Sequence, residues 1–157
     1  MTPATPTPGA EPPLRVLVVD DNRDAADSTA DLLRVVGFDA RACYDGLAAL
    51  ELADGFLPNV CLIDLNMPGM DGDALAARLH ERAGGRLLVL VAVTAMGDEV
   101  SRRRTREAGF SLHLVKPVDP HDLLAVVDRV WRAWQRGLDH DAGRDMFGTD
   151  EARHRTT

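Results

Sequence analysis

Four stretches of the chain end in side chains able to work together on a phosphoryl group. Asp20 and Asp21 follow one apolar run, Asp64 closes a second, Thr94 follows a third and Lys116 a fourth. Three carboxylates forced together repel one another, so at an exposed rim they either take up protons or share a hard cation. Magnesium suits such a rim, because it takes a few carboxylate oxygens, keeps several waters and often bridges to phosphate. Lys116 supplies a point charge for phosphate oxygens, and Thr94 supplies a neutral hydroxyl with one hydrogen to donate. An aspartate carboxylate is itself a class of phosphoryl acceptor, and Asp64 lies centrally between the acid pair and the Thr and Lys ends. Its product would be an acyl phosphate, with a metal offsetting the charge of the transferring group. Taken singly these residues are weak signals, since a Thr after an apolar strand is usually structural and a Lys-Pro pair usually marks a turn. Their joint position carries the reading.

The elements that must position these residues are legible in the apolar periodicity. Residues 14–19 form an apolar run interrupted only by Arg15, as expected of a central strand covered on both faces. Ala25, Thr29, Leu32, Leu33 and Val36 then recur at helical spacing, with Asn22 as the starting cap and Gly37 as a left-handed stop. The alternation continues as a strand at 39–44, a helix at 46–53, a turn at Pro58 and Asn59, and a strand at 60–64. A helix opens at Asp71 with Leu75 and Leu79 inward. A strand at 87–93 precedes a helix capped by Asp98 that runs to Ala108 and stops at Gly109. Residues 112–115 form the last strand. Asp119 caps the final helix, Pro120 takes its first position, Leu123, Val127, Val130, Trp131 and Trp134 make its buried stripe, and it ends near Gly137. Five strands alternating with five helices predict an α/β, doubly wound parallel sheet, in which ligands gather at the carboxyl ends of the strands.

Composition bounds the rest. A chain of 157 residues, 45% of them apolar, buries one core, so the domain is expected over residues 14–137 between a Pro- and Thr-rich tail (1–13) and a C-terminal tail (138–157). The most apolar run is about half of what a membrane span needs, and the start of the chain lacks the pattern of a secretory signal, so no membrane partner is expected. A formal charge of −7 opposes nucleic-acid binding. Arg102, Arg103, Arg104 and Arg106 read first as a solvated helix face and second as a docking patch for a kinase. Cys43 and Cys61 fall in strands on either side of the first, roughly 10 Å apart. That is beyond disulfide reach and fits a reduced, cytoplasmic pair used as core filler. Trp134 reads first as core, with a partner or homodimer contact as its second reading. His121, His140 and His154 show no metal-ligand spacing.

The segments VLVVDDN, DLNMPGMDG, VAVTA and GFSLHLVKPV resemble, in order and spacing, the receiver family of response regulators in two-component signalling, over residues 14–137. The resemblance implies a flavodoxin-like sheet of order 2-1-3-4-5 and phosphotransfer from the phosphohistidine of a sensor histidine kinase, or of a histidine phosphotransfer protein, to Asp64. It implies magnesium held by Asp21, Asp64 and the backbone carbonyl of Asn66, with Asp20 helping through water, and a cis peptide at Lys116–Pro117. Asn66 and Met96 match the positions that tune phosphoryl lifetime; Met96 cannot orient an attacking water, so no shortening by it is expected. His113 stands where the family usually has a Tyr or Phe that swings on activation, a departure that leaves an imidazole as the switch residue and could add pH sensitivity. The stretch RRRTREAGFSLHLVKPVDP is closer in feel to receivers of hybrid sensor kinases than to those joined to DNA-binding domains.

Rival readings are weaker. An aspartyl-phosphate hydrolase would carry a second Asp as general acid where this chain has Asn66. A flavodoxin-type cofactor module would offer amides and hydroxyls to phosphate where Asp20 and Asp21 stand. A degenerate receiver would lack an acid or the lysine, and none is missing. The expectation is a stand-alone signalling phosphoacceptor rather than an enzyme, acting on a downstream protein target, with a phosphorelay shuttle or phosphate sink as the alternative. The residues after Gly137 are too few and too polar for a helix-turn-helix domain.

Overall fold

The computed structural model describes residues 13–67, 69, 71–95, 97 and 99–137. The expected tails, apart from Pro13 and with His140 and His154 among them, lie outside these residues, as do Met96 and the cap assigned to Asp98. Five strands, β1 (Arg15–Val19), β2 (Asp39–Cys43), β3 (Val60–Asp64), β4 (Val89–Thr94) and β5 (Leu112–Val115), alternate with five helices: α1 (Arg23–Val35), α2 (Gly46–Phe56), α3 (Gly72–Ala83), α4 (Glu99–Glu107) and α5 (Pro120–Gly137). The sheet is parallel throughout in the order β2-β1-β3-β4-β5, the architecture expected from the sequence.

Each strand sends alternate side chains to opposite faces, and each face carries its own core. Val16, Val18, Leu62, Val91 and Leu114 pack under α1 and α5, which contribute Ala30, Leu33, Leu123, Val127 and Val130. Leu17, Val19, Ile63, Leu90 and Ala92 pack under α2 and α3, with Leu50, Phe56, Leu75 and Leu79. β3 lies mid-sheet and all five of its residues are buried, which is why its sequence reads as an unbroken apolar run up to Asp64. Leu90 is wholly enclosed, so Leu90→Ala is expected to cost about 2–5 kcal/mol in urea denaturation.

Two boundaries differ from those read from the sequence by two residues or more. α2 continues past Ala53 to Phe56, because burying the Phe56 ring outweighs the weak helix propensity of Asp54 and Gly55. The chain then turns at Leu57, whose backbone is left-handed (φ 52°) and whose N–H donates to the Ala53 carbonyl. β4 begins at Val89 rather than Leu87, where its ladder with Val60 starts. Gly37 ends α1 at φ 106°, a conformation that favours glycine.

Cys43 and Cys61 are buried and unpaired to one another, on β2 and β3 with β1 between. Burial pushes the Cys43 thiol up to about 12 and the Cys61 thiol higher still. Both are therefore protonated, unreactive core residues.

Candidate functional site

Parallel register aligns the strand ends. Val19 is level with Ile63, Asp64 with Val93, and Thr94 with Val115. The residues that follow or close these strands, Asp20, Asp21, Asp64, Thr94 and Lys116, are thus brought to one edge of the sheet, as anticipated. One carboxylate oxygen from each of Asp20, Asp21 and Asp64 lies within 4.8 Å of the others. The three differ in exposure. Asp64 is buried (3% exposed), Asp20 half-buried and Asp21 exposed.

Asp64 is held from two sides. Its Oδ1 accepts a hydrogen bond from the Asn66 N–H at 2.9 Å, and its Oδ2 lies 3.1 Å from Lys116 Nζ. The Lys116 backbone N–H donates to the Thr94 carbonyl at 2.8 Å, tying the end of β5 to the end of β4, and the Lys116–Pro117 peptide is cis. Thr94 itself is buried. On the other side, Asp20 Oδ1 accepts from the Asn22 N–H at 3.0 Å, and Asn22 Oδ1 caps α1 through the Ala25 N–H at 3.1 Å. A Cβ at Gly72, the first residue of α3, would meet the tip of the Leu65 side chain at 2.5 Å.

The Asp20 carboxyl is raised above its ordinary value, first by burial, then by the adjoining Asp64 carboxylate, against the lowering effect of the Asn22 N–H and of Lys116. A raised carboxyl means that ionising Asp20 opposes folding above its native titration, and that the penalty fades as acidification protonates it. Asp20→Asn is therefore expected to be more stable than the parent toward urea at neutral pH without divalent metal. The gap should close as the pH falls towards 4; a gap that widens in acid would contradict the assignment.

Beside Lys116 lies a hollow of about 630 Å³ between the first turns of α1 and the start of α5. Ala25, Ser28 and Thr29 line it together with Pro117 and Leu123. Ala25 and Thr29, which recur at helical spacing with Leu32 and Leu33, are only half-buried; small residues at i, i+3 and i+4 just after the acid pair are the sign in the sequence that a helix face stays open here. The Asn66 N–H was likewise missed, since a backbone donor leaves no trace in residue type.

His113 sits on β5 and faces a groove between α4 and α5. The four arginines of α4 do not share one solvated face. Arg104 pairs with Asp73 at 2.9 Å and Asp71 at 3.6 Å, at the start of α3. Arg106 lies 4.0 Å from Glu99, Arg103 is exposed, and Arg102 lines the groove. Trp131 and Trp134 pack, partly buried, on the core beneath α5. His121 is exposed at the start of α5, where its N–H donates to the Asp119 cap at 2.7 Å. Among the described residues no helix is long and apolar enough to cross a membrane.

Residues 16–128 match the family model described as the response regulator receiver domain. The chain is 35% identical over 114 residues to an uncharacterised 14.6 kDa protein of Leptolyngbya boryana, covering 73% of this chain and 87% of that one. It is 34% identical over 113 residues to the DNA-binding response regulator MtrA of Mycobacterium leprae, covering 72% of this chain but only 49% of MtrA, so it spans about half the length of that regulator. The chemotaxis protein CheY4 of Vibrio cholerae has the same fold, with TM-score 0.71 and 25% identity over 75% of this chain and 98% of its own. The likeness to hybrid-kinase receivers has no counterpart among these three. The parallel order 2-1-3-4-5, the acid edge on β1 and β3 and the family match together make this chain a member of the response regulator receiver family of two-component signalling.

Proposed function

We propose that this receiver accepts a phosphoryl group on Asp64 from the phosphohistidine of a sensor histidine kinase or a histidine phosphotransfer protein, and signals through contact with a downstream protein. The observation that carries the reading is the Asp64 carboxylate, buried at 3% exposure yet flanked by two further carboxylates within 4.8 Å and by Lys116 at 3.1 Å. Such charge is costly to enclose unless it serves chemistry.

An all-oxygen set of three carboxylates fits magnesium. Asp21, Asp64 and the backbone carbonyl of Asn66 would hold it, with Asp20 acting through water, and the bound ion would offset charge on the transferring phosphoryl oxygens. The chain's own residues do the remainder. Asp64 Oδ2 attacks phosphorus as the P–N bond of the phosphohistidine breaks, and the imidazole leaves with a proton from solvent. Lys116 moves its charge from the free carboxylate to the phosphoryl oxygens, and the Thr94 hydroxyl donates to one of them. The Asn66 N–H keeps the other Asp64 oxygen in place during transfer. His113, Met96 and Pro117 belong to the switching and tuning set on this reading, Met96 leaving the phosphorylated lifetime unshortened.

The receiver is a phosphoacceptor rather than a turnover enzyme. DNA binding is a property named for MtrA, a protein about twice as long; for this chain a formal charge of −7 favours output by protein contact. The two protonated, buried thiols suit a reducing, cytoplasmic setting. Incubation of the purified chain with magnesium and a small phosphodonor, followed by mapping of the modified residue, tests the proposal. One phosphoryl group on Asp64 is expected; none, or one on another residue, overturns it.

A further inference from the structure

The groove between α4, β5 and α5 encloses about 340 Å³, within the size range of small-molecule sites. Its floor is apolar, from Leu112, Leu114 and Val126. Its walls are cationic: Arg102 and Arg106 enter from α4 and Arg129 from α5, on either side of His113. Two of these guanidinium groups have nitrogens that are shut off from solvent and meet no acceptor, Arg102 Nε and Arg129 Nη1. A guanidinium stays charged under all ordinary conditions and only donates, so a sheltered N–H without an acceptor is a standing cost, relieved when the side chain turns that N–H to a bound acceptor.

Two carboxylates also line the groove, Asp119 and Asp122. Asp119 is engaged as the α5 cap, its Oδ1 accepting the His121 N–H at 2.7 Å. Among the described residues no ion pair joins either acid to Arg102 or Arg129. Arg106 is offset by Glu99 at 4.0 Å, and of the other lining charges the two aspartates are exposed to solvent whereas Arg102 and Arg129 each hold a nitrogen shut off from it, so the sheltered charge in the groove is positive on a chain of formal charge −7 and favours an anion there.

We infer that the α4–β5–α5 groove is a binding site for a small oxyanion, a carboxylate or a phosphate, whose oxygens accept from Arg102 and Arg129 together. Guanidinium groups from two different helices give the planar, forked donors that such oxygens match, and the apolar floor would take the ligand's carbon skeleton. The site is separate from the acid edge and does not depend on Asp64 being phosphorylated.

The test uses the whole chain with neither phosphodonor nor divalent metal, so that its failure is distinct from failure of the phosphoacceptor reading. Inorganic phosphate and, separately, succinate are titrated while the arginine Nε–H and backbone amide resonances are followed by NMR. A saturable shift centred on Arg102 and Arg129 is expected, with affinity weakened at least about tenfold in Arg129→Gln and in Arg102→Gln. The tighter of the two probes identifies phosphate or carboxylate as the preferred class. If Arg129→Gln does not give a folded amide spectrum, Arg129→Lys, which keeps the charge but not the fork, is judged by the same tenfold criterion. Shifts that fail to saturate with both probes, shifts centred on the Lys116 and Asp64 amides, or unchanged affinity in the arginine variants would overturn the inference.

Discussion

Asp64→Asn is expected to take phosphoryl uptake from magnesium and a small phosphodonor to background while leaving the fold in place. The replacement has nearly the same volume, and its amide oxygen can still accept the Asn66 N–H that Oδ1 now accepts at 2.9 Å. What disappears is the nucleophile. The amide nitrogen would then face Lys116 Nζ where Oδ2 stands at 3.1 Å, two donors meeting with no acceptor between them. Lys116, already about one-third exposed, can turn to solvent. Urea midpoints for the variant and the parent should therefore be similar, and incorporation of label should separate them completely. Residual labelling of Asp64→Asn at the parental level would assign the acceptor role to another residue.

Lys116→Met is expected to slow phosphorylation by roughly 10²–10³-fold, the usual penalty for losing one preorganised charge-stabilising donor at a reacting oxyanion. It also has a structural price that Asp64→Asn lacks. The Asp64 carboxylate remains buried beside Asp20 and Asp21 and loses its paired cation, so the fold should weaken by roughly 1.5–3 kcal/mol, the range for a hydrogen bond to a charged group. Methionine keeps the length and apolar stem of the side chain, which confines the change to charge. Initial rates with the phosphodonor and urea denaturation in the absence of metal measure the two effects separately. A rate within tenfold of the parent would remove Lys116 from the chemistry.

The fold and the acid edge were legible because both follow from short-range rules. A strand covered on both faces has to be apolar along nearly its whole length, and residues 16–19 and 60–63 are. The polar residue that ends such a run must then emerge at the sheet edge, which brings Asp20, Asp64, Thr94 and Lys116 together from the sequence alone. Where long-range packing decides, the reading fell short. The Phe56 ring extends α2 through a glycine because of the core beneath it, and no local signal in Asp54 or Gly55 reports that core. The arginines of α4 look alike in sequence, yet Arg104 reaches 31 residues back to Asp73 while Arg102 turns into the groove. Their separate fates depend on what α3 and α5 present to them.

The helices also differ in what anchors them. α5 sinks Leu123, Val126, Val127, Val130 and Ala133 into the sheet, whereas α4 buries Thr105 alone among the described residues and otherwise leans on ion pairs at its surface. Stability in such a fold is graded rather than uniform, and the segment with the least buried apolar area opens first. α4 can therefore come away as a local unit while the sheet and the other four helices stay folded, exchanging its amide hydrogens far ahead of α5. One wall of the cationic groove and the Arg104 tie to the start of α3 would be released in the same excursion.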